Sequence, residues 1–500
     1  MPDDVSYLDE TTASFVDGSE RSHRDLRATV DALLDVLIAT DRRPTFPATS
    51  AYDLRDAVAV IDPLPESGRP LGDVLAEVES AVLARNVRMS DPLCAAHLHP
   101  PPLLAASAAE LAIGVTNQSM DSFEQSPAAT YVEERLIDRL NAVLGMPQSA
   151  SGVFTSGGTA SNLLGLLLAR DAADADSHAN GLPESAPTWR ILTSAAAHAS
   201  IRQAADVLGL GRTAVVAVDT DESGRMDPEA LDRSLTELTC TAQRPIAIAA
   251  TAGTTDSGAI DPLDAIADRA EHHGLWLHVD AAVGSGLALS DRLRPMLAGI
   301  DRADSVTADL HKLWWQPIGA SALLVRGAES FDGLREPADY LNRAEDGGVL
   351  NLVDRSLDTS RRFDALKVLI SLQVVGRRRL GSYVEHLVEL AQEGGHAVTA
   401  APCLELLAPP QTVTVLFRCR PAGAVHDGHE RVDLDGLNIA VQRHLLGTGK
   451  AVVGRTRIDG RVALKLTLMN PQVTADDVRS LVDLVEQTGS ELAAAFGTEQ

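Results

Sequence analysis

Leu275-Trp276-Leu277-His278-Val279-Asp280 is an apolar run that ends in a carboxylate, and the chain repeats the device at Asp304-Ser305-Val306-Thr307-Ala308-Asp309, which leads into Leu310-His311-Lys312. Short apolar runs bounded by polar residues read as strands buried on both faces of a sheet. Working outward, the same pattern predicts strands at 190–194, 214–218, 246–251, 275–279, 305–308 and 322–325. Helical spacing separates them near 159–170, 200–208, 228–238 and 263–272. Strands that alternate with helices predict an α/β domain built on a mostly parallel sheet.

The flanks differ from this centre. Residues 1–95 read as a helical N-terminal segment, with helical spacing at 25–38 and 71–87. Pro100-Pro101-Pro102 breaks the chain before the small-residue stretch 103–116. The large α/β domain is expected over 96–385, closed by a long helix at 361–375. Residues 386–500 then form a small α+β C-terminal domain, with strands at 412–418 and 462–469 and a terminal helix within 475–496. The alanine-rich, acidic stretch 171–180 reads as a solvated loop.

Composition narrows the function. The 500 residues carry 43 Lys plus Arg against 70 Asp plus Glu, a formal net charge of −27. Such a charge repels phosphate backbones and anionic lipid, so nucleic acid and membrane are poor partners. No apolar stretch is long enough to span a bilayer, and no secretory signal is visible, so a cytoplasmic protein is expected. Cys94, Cys240, Cys403 and Cys419 are scattered without metal-binding spacing, and no metal site is expected. Only four of the basic residues are lysines: Lys312, Lys367, Lys450 and Lys465. Lysine can lose its proton and attack a carbonyl, whereas arginine cannot.

In an open α/β sheet, ligands gather beyond the carboxyl ends of the strands. Ser156-Gly157-Gly158-Thr159 runs into a helix there, and its glycines let backbone N–H groups approach an anion. His198, Asp280 and His311-Lys312 each follow a strand. A phosphate cradle, a flat ring for stacking, a carboxylate and a nucleophilic lysine together are what pyridoxal phosphate requires. The other three lysines fit worse, falling in a helical run, a glycine-bearing loop and a strand.

These features occur within a longer series of motifs. They are Cys94-Ala95-Ala96-His97-Leu98-His99-Pro100, then Asn117 through Pro127 (NQSMDSFEQSP), Thr155-Ser156-Gly157-Gly158-Thr159 and Gly253-Thr254-Thr255-Asp256. His278-Val279-Asp280-Ala281-Ala282, Asp309-Leu310-His311-Lys312 and Thr359-Ser360-Arg361-Arg362-Phe363-Asp364-Ala365-Leu366-Lys367 complete it. In this order they resemble the group II pyridoxal-phosphate-dependent amino-acid decarboxylases, of fold type I, over nearly the whole chain. Asn117–Pro127 and Gln316-Pro317 look most like the branch of L-2,4-diaminobutyrate and siderophore-pathway lysine decarboxylases.

The resemblance implies roles. Lys312 would form the Schiff base with the cofactor, Asp280 would pair with its ring nitrogen, and Ala282 and His198 would cover opposite ring faces. Gly158, Thr159 and His311 would hold the phosphate, with Asp309 beside it and Thr255 near the ring substituents. The activity implied is decarboxylation of an L-amino acid to its amine and carbon dioxide, in a homodimer whose sites draw residues from both chains. His97, His99, Asp121, Phe123 and Glu124 would lie toward the substrate. A carboxylate there could meet the distal ammonium of diaminobutyrate, lysine or ornithine, while Asp121 and Glu124 could instead cap the adjacent helix.

The chain also departs from the family. Where many members carry a mobile-loop tyrosine that donates a proton, it reads Gly347-Gly348-Val349-Leu350-Asn351-Leu352, leaving His198 and Tyr340 as candidate donors. Loss of that donor makes oxygen-dependent aldehyde formation an alternative outcome. Lys465 stands where glutamate decarboxylases place a carboxylate-binding arginine, and either binds substrate or is a lysine with a buried stem. Trp314-Trp315, bulkier than the branch's usual phenylalanines, would narrow the pocket or favour a neutral branched or aromatic substrate. A different class, a non-catalytic binding protein on the same fold, is opposed by the presence together of His198, Asp280 and Lys312.

Overall fold

The computed structural model describes residues 15–40, 43–335, 349–422, 425–426, 429–430 and 432–493. The chain divides into two compact units. One takes the N-terminal residues to Ala96 with Cys419–Leu464 and the residues from Ser480 onward; the other takes His97–Arg418 and Lys465–Arg479. This division cuts across the linear three-part reading, because the segment read as a C-terminal domain is shared between the two units.

The first unit opens with helices α1 (Glu20–Thr40), α2 (Ala51–Ala59) and α3 (Leu71–Ala81). Ser50 caps α2 through a reciprocal Ser50–Asp53 capping box. The short strand β1 (Cys94–Ala95) follows and pairs in parallel with residues 452–453, far along the chain.

The second unit holds the main sheet. Its strands are β2 (Ser151–Thr155), β3 (Trp189–Ser194), β4 (Val215–Val218), β5 (Arg244–Thr251), β6 (Trp276–Asp280), β7 (Ser305–Asp309) and β8 (Ser321–Val325). They lie in the order β2-β8-β7-β6-β5-β3-β4. Only β8 runs against its neighbours, so the other six bring their carboxyl ends to one edge. The predicted alternation is therefore present, with one antiparallel strand inside it. β2 escapes a reading by hydrophobic runs, since Ser151-Gly152-Val153-Phe154-Thr155 has only two large apolar residues.

Helices cover the sheet: α4 (Leu104–Thr116), α5 (Pro127–Leu144), α6 (Gly158–Ala173), α7 (Ser177–Asn180), α8 (Ser200–Val207), α9 (Pro228–Cys240) and α10 (Leu263–His273). Leu164, Leu167 and Leu168 of α6 and Ile201 of α8 join Val153, Ile191 and Ala247 of the strands in one buried cluster. Part of the expected 171–180 loop is helical, being the last turn of α6 and the single turn α7.

The long helix expected at 361–375 is shorter. α11 (Ala365–Val375) begins four residues later, because Arg361 and Arg362 are engaged outside the helix. Arg362 bridges Ser119, and Arg361 pairs with the fully buried Glu133 at 3.1 Å. α12 (Arg377–Ala400) follows after Gly376. No described helix is long and apolar enough to cross a membrane.

Candidate active site

Three features meet at the carboxyl edge of the sheet: the ends of β6 and β7, which are adjacent parallel strands, and the start of α6. Asp309 ends β7 and is 2% exposed, and Lys312 follows three residues later with its Nζ 2.9 Å from Asp309 Oδ2. His311 Nδ1 donates to the Ala320 carbonyl at 2.8 Å, because a carbonyl only accepts, and its Nε2 lies 3.7 Å from Asp309 Oδ2.

The turn after Lys312 is pinned. Trp315 adopts a left-handed φ of 53°, a costly conformation for a bulky side chain. Its N–H bonds to Lys312 O, its carbonyl accepts from Leu103 N–H, and its indole N–H donates to Met469 O at 2.9 Å. Trp314 and Trp315 are 3% and 1% exposed, so the indoles pack in the interior.

Gly157 and Gly158 open α6, whose first N–H groups have no partner within the helix. A Cβ on Gly158 would sit 2.9 Å from Asp309 Oδ2, so this turn has room only for hydrogen. Thr159 is exposed beside it.

Asp280 ends β6 and is 6% exposed. Its Oδ1 accepts from Ala282 N–H at 3.1 Å, and its Oδ2 accepts from Asn162 Nδ2 at 2.8 Å. Both partners are neutral, and among the described residues Asp280 makes no ion pair. Ala282 is buried. The exposed His198 turns its Nδ1 to Ser200 Oγ at 2.8 Å.

His97 and His99 converge on the same region. Burial and then Lys465 hold His97 below its ordinary pKa; burial, then His97 and His311, do the same for His99. Lys465 is 8% exposed, and its Nζ donates to Thr255 O at 2.8 Å and pairs with Asp256 at 3.0 Å. Its charge is thus already answered by groups of the chain.

Asp121 is 4% exposed, and its Oδ1 accepts from Ser122 N–H, not from α5, whose N-cap is Ser126. Phe123 N–H donates to Asn351 Oδ1 at 2.9 Å and its ring meets the edge of Tyr131. Among the described residues no hydrogen bond or ion pair joins Asp121 or Phe123 to Lys312, Asp280 or His198. Glu124 is exposed. Tyr340, Gly347 and Gly348 lie outside the described residues.

The remaining lysines have other work. Lys367 is fully buried and paired with Glu110 at 2.7 Å and Asp364 at 2.9 Å, and Lys450 is exposed in the first unit. Sequence reasoning missed Asn162, Ser200 and the structural role of His278. An asparagine directly before Leu163-Leu164-Gly165-Leu166-Leu167-Leu168, one turn after a glycine pair, is the signal that could have found the first. Among the described residues, no three His, Cys, Asp or Glu side chains are placed to hold a metal ion.

The residues fit pyridoxal phosphate. A buried carboxylate without a cationic partner is costly, and a protonated pyridine nitrogen is a group that would answer it. A primary amine stands three residues past the neighbouring strand, and a helix start with unpaired N–H groups suits a phosphate. A lysine-bearing α/β fold of this kind is that of fold type I pyridoxal phosphate enzymes.

Comparison with known proteins agrees. Residues 59–420 match the family model described as pyridoxal-dependent decarboxylase conserved domain. The chain is 40% identical over 466 residues to an L-2,4-diaminobutyrate decarboxylase of Rhizobium meliloti (strain 1021), covering 93% of this chain and 90% of that one. Its fold matches the crystal structure of the glutamate decarboxylase domain of diaminobutyrate-pyruvate transaminase and L-2,4-diaminobutyrate decarboxylase from Vibrio parahaemolyticus. That match has a TM-score of 0.86 at 36% identity, covering 96% of this chain and 98% of that one. It also matches Oryza sativa TDC, solved with PLP and tryptamine, with a TM-score of 0.87 at 26% identity, covering 96% and 100%. The chain belongs to the pyridoxal-dependent decarboxylase family. It is an amino-acid carboxy-lyase that uses pyridoxal phosphate.

Proposed function

We propose that the chain converts L-2,4-diaminobutyrate to 1,3-diaminopropane and carbon dioxide at the site around Lys312 and Asp280. The observation that carries the site assignment is the buried Asp280 carboxylate, which has two neutral donors and, among the described residues, no cationic partner. Bound pyridoxal phosphate supplies an electron sink for the pair left by departing carbon dioxide. Asp280 sustains that sink, because a nearby carboxylate favours the protonated ring nitrogen.

In this reading Lys312 holds the cofactor covalently, and His198 and Ala282 flank its ring. Gly158, Thr159 and His311 hold the phosphate, Asp309 orients Lys312, and Thr255 lies near the ring substituents. His198 is the described candidate to return a proton to the substrate's Cα. The choice of substrate is supported by the 40%-identical relative. Homodimerisation belongs to the same reading, supported by exposed apolar surface at Leu104 (87%) and Ile318 (62%).

The test is mass-spectrometric identification of amines after incubating cofactor-loaded protein with a panel of L-amino acids. The panel is diaminobutyrate, ornithine, lysine, glutamate, valine, phenylalanine, tyrosine and tryptophan. Dominant 1,3-diaminopropane supports the proposal; another dominant amine overturns the substrate, and aldehyde with peroxide overturns simple decarboxylation.

A further inference from the structure

Asn162 lies on α6 one turn after Gly158, is 1% exposed, and uses every hydrogen-bonding position of its amide. Oδ1 accepts from Thr307 Oγ1 at 2.7 Å and meets His278 Nε2 at 2.9 Å. Nδ2 donates to Asp280 Oδ2 and to Ser200 Oγ, both at 2.8 Å. A carboxylate accepts and does not donate, so the NH₂ must face Asp280 and the carbonyl must face Thr307 and His278.

That orientation fixes its neighbours. His278 Nε2 carries hydrogen, and in a ring kept neutral by burial Nδ1 accepts from Ser305 Oγ, which itself accepts from the Trp276 indole. On the other side Ser200 Oγ receives from Asn162 and lies 2.8 Å from His198 Nδ1. Ser200 backbone N–H points at the same nitrogen from 3.3 Å. Nδ1 of His198 is therefore an acceptor, and its ring hydrogen sits on Nε2.

We infer that Asn162 is a positioning residue that orients the Asp280 carboxylate and, through Ser200, sets His198 as the Nε2–H tautomer, leaving Nε2–H as the donor His198 offers to a ligand. The inference rests on the proposed roles of Asp280 and His198. An amide suits the task because it orients a carboxylate without cancelling its charge, as Lys or Arg would. One side chain thereby couples a ring-nitrogen partner to a ring-stacking and proton-donating group.

The test reads the tautomer directly, by two-bond ¹⁵N–¹H correlation on histidine-labelled protein without cofactor, with His198 assigned through His198→Gln. Wild-type His198 is expected as Nε2–H; Nδ1–H would overturn the inference outright. Asn162→Leu should give a mixed tautomer and weaken cofactor binding about tenfold, as loss of one hydrogen bond to a charged group does. Unchanged tautomer and affinity would contradict it. Should that variant fail to fold, Asn162→Asp is read in the same way, since its carboxyl takes the Ser200 hydrogen away from His198. Asp280→Ala with unaltered cofactor spectrum and affinity would instead remove the underlying roles, and the inference with them.

Discussion

Lys312 Nζ lies 2.9 Å from Asp309 Oδ2, so this lysine is held by the carboxylate that ends the strand before it. The pairing explains how a flexible four-carbon stem is aimed before any ligand arrives. It also separates Lys312 from Lys367, which is fully buried between the carboxylates of Glu110 and Asp364.

Lys312→Ala should abolish turnover, with a loss on the order of 10³-fold or more. Lys367→Ala should keep turnover within a few-fold of wild type while lowering stability by about 3 kcal/mol, because two carboxylates lose a buried partner. Paired kinetics and urea unfolding of the two variants check this. Equal loss of activity at both sites would contradict the assignment.

Gly158→Ala places a methyl 2.9 Å from Asp309 Oδ2, in a turn with no spare space. The carboxylate must shift, and Lys312 with it. Cofactor affinity should fall roughly tenfold, read by titrating the absorbance of the bound cofactor, and a wild-type titration would show that the turn tolerates the change.

Gly165→Ala probes the layer beneath. Its Cβ would come 2.7 Å from His278 Cε1 and Nδ1, so α6 can pack on β6 only because residue 165 lacks a side chain. Overpacking of this kind costs about 1–3 kcal/mol, and denaturant unfolding should show a midpoint lowered accordingly.

His278 also predicts a pH dependence. Burial pushes it from 6.5 to about 4, against the opposing pull of Asp280. The unfolded chain therefore binds this proton at a pH where the folded chain does not. Stability is full above 6.5 and declines as the pH falls toward 4, by at most about 1.4 kcal/mol per pH unit. His278→Gln should flatten that part of the profile, and an unchanged slope would assign the effect to other groups.

Much of this was legible in the sequence. Strands with continuous apolar runs, such as Ile246–Thr251 and Leu275–Val279, were found because burial on both faces leaves a mark in composition. β2 was not, since its small and polar residues are buried by packing that no local pattern records. Asp280, His311 and Lys312 stood out at strand ends, where chemistry gathers. Asn162 did not, because its value comes from facing Asp280 across 118 positions of sequence. The sequence does not decide the role of Lys465, because the Asp256 carboxylate and Thr255 carbonyl that engage it lie about 210 positions away.

The most direct test of the account is incubation of the cofactor-loaded enzyme with L-2,4-diaminobutyrate labelled with ¹³C at the carboxyl carbon, quantifying labelled carbon dioxide and 1,3-diaminopropane together. Equal amounts of both, lost in Lys312→Ala, are the predicted result. Labelled carbon dioxide without matching diamine, or full product from Lys312→Ala, would contradict it.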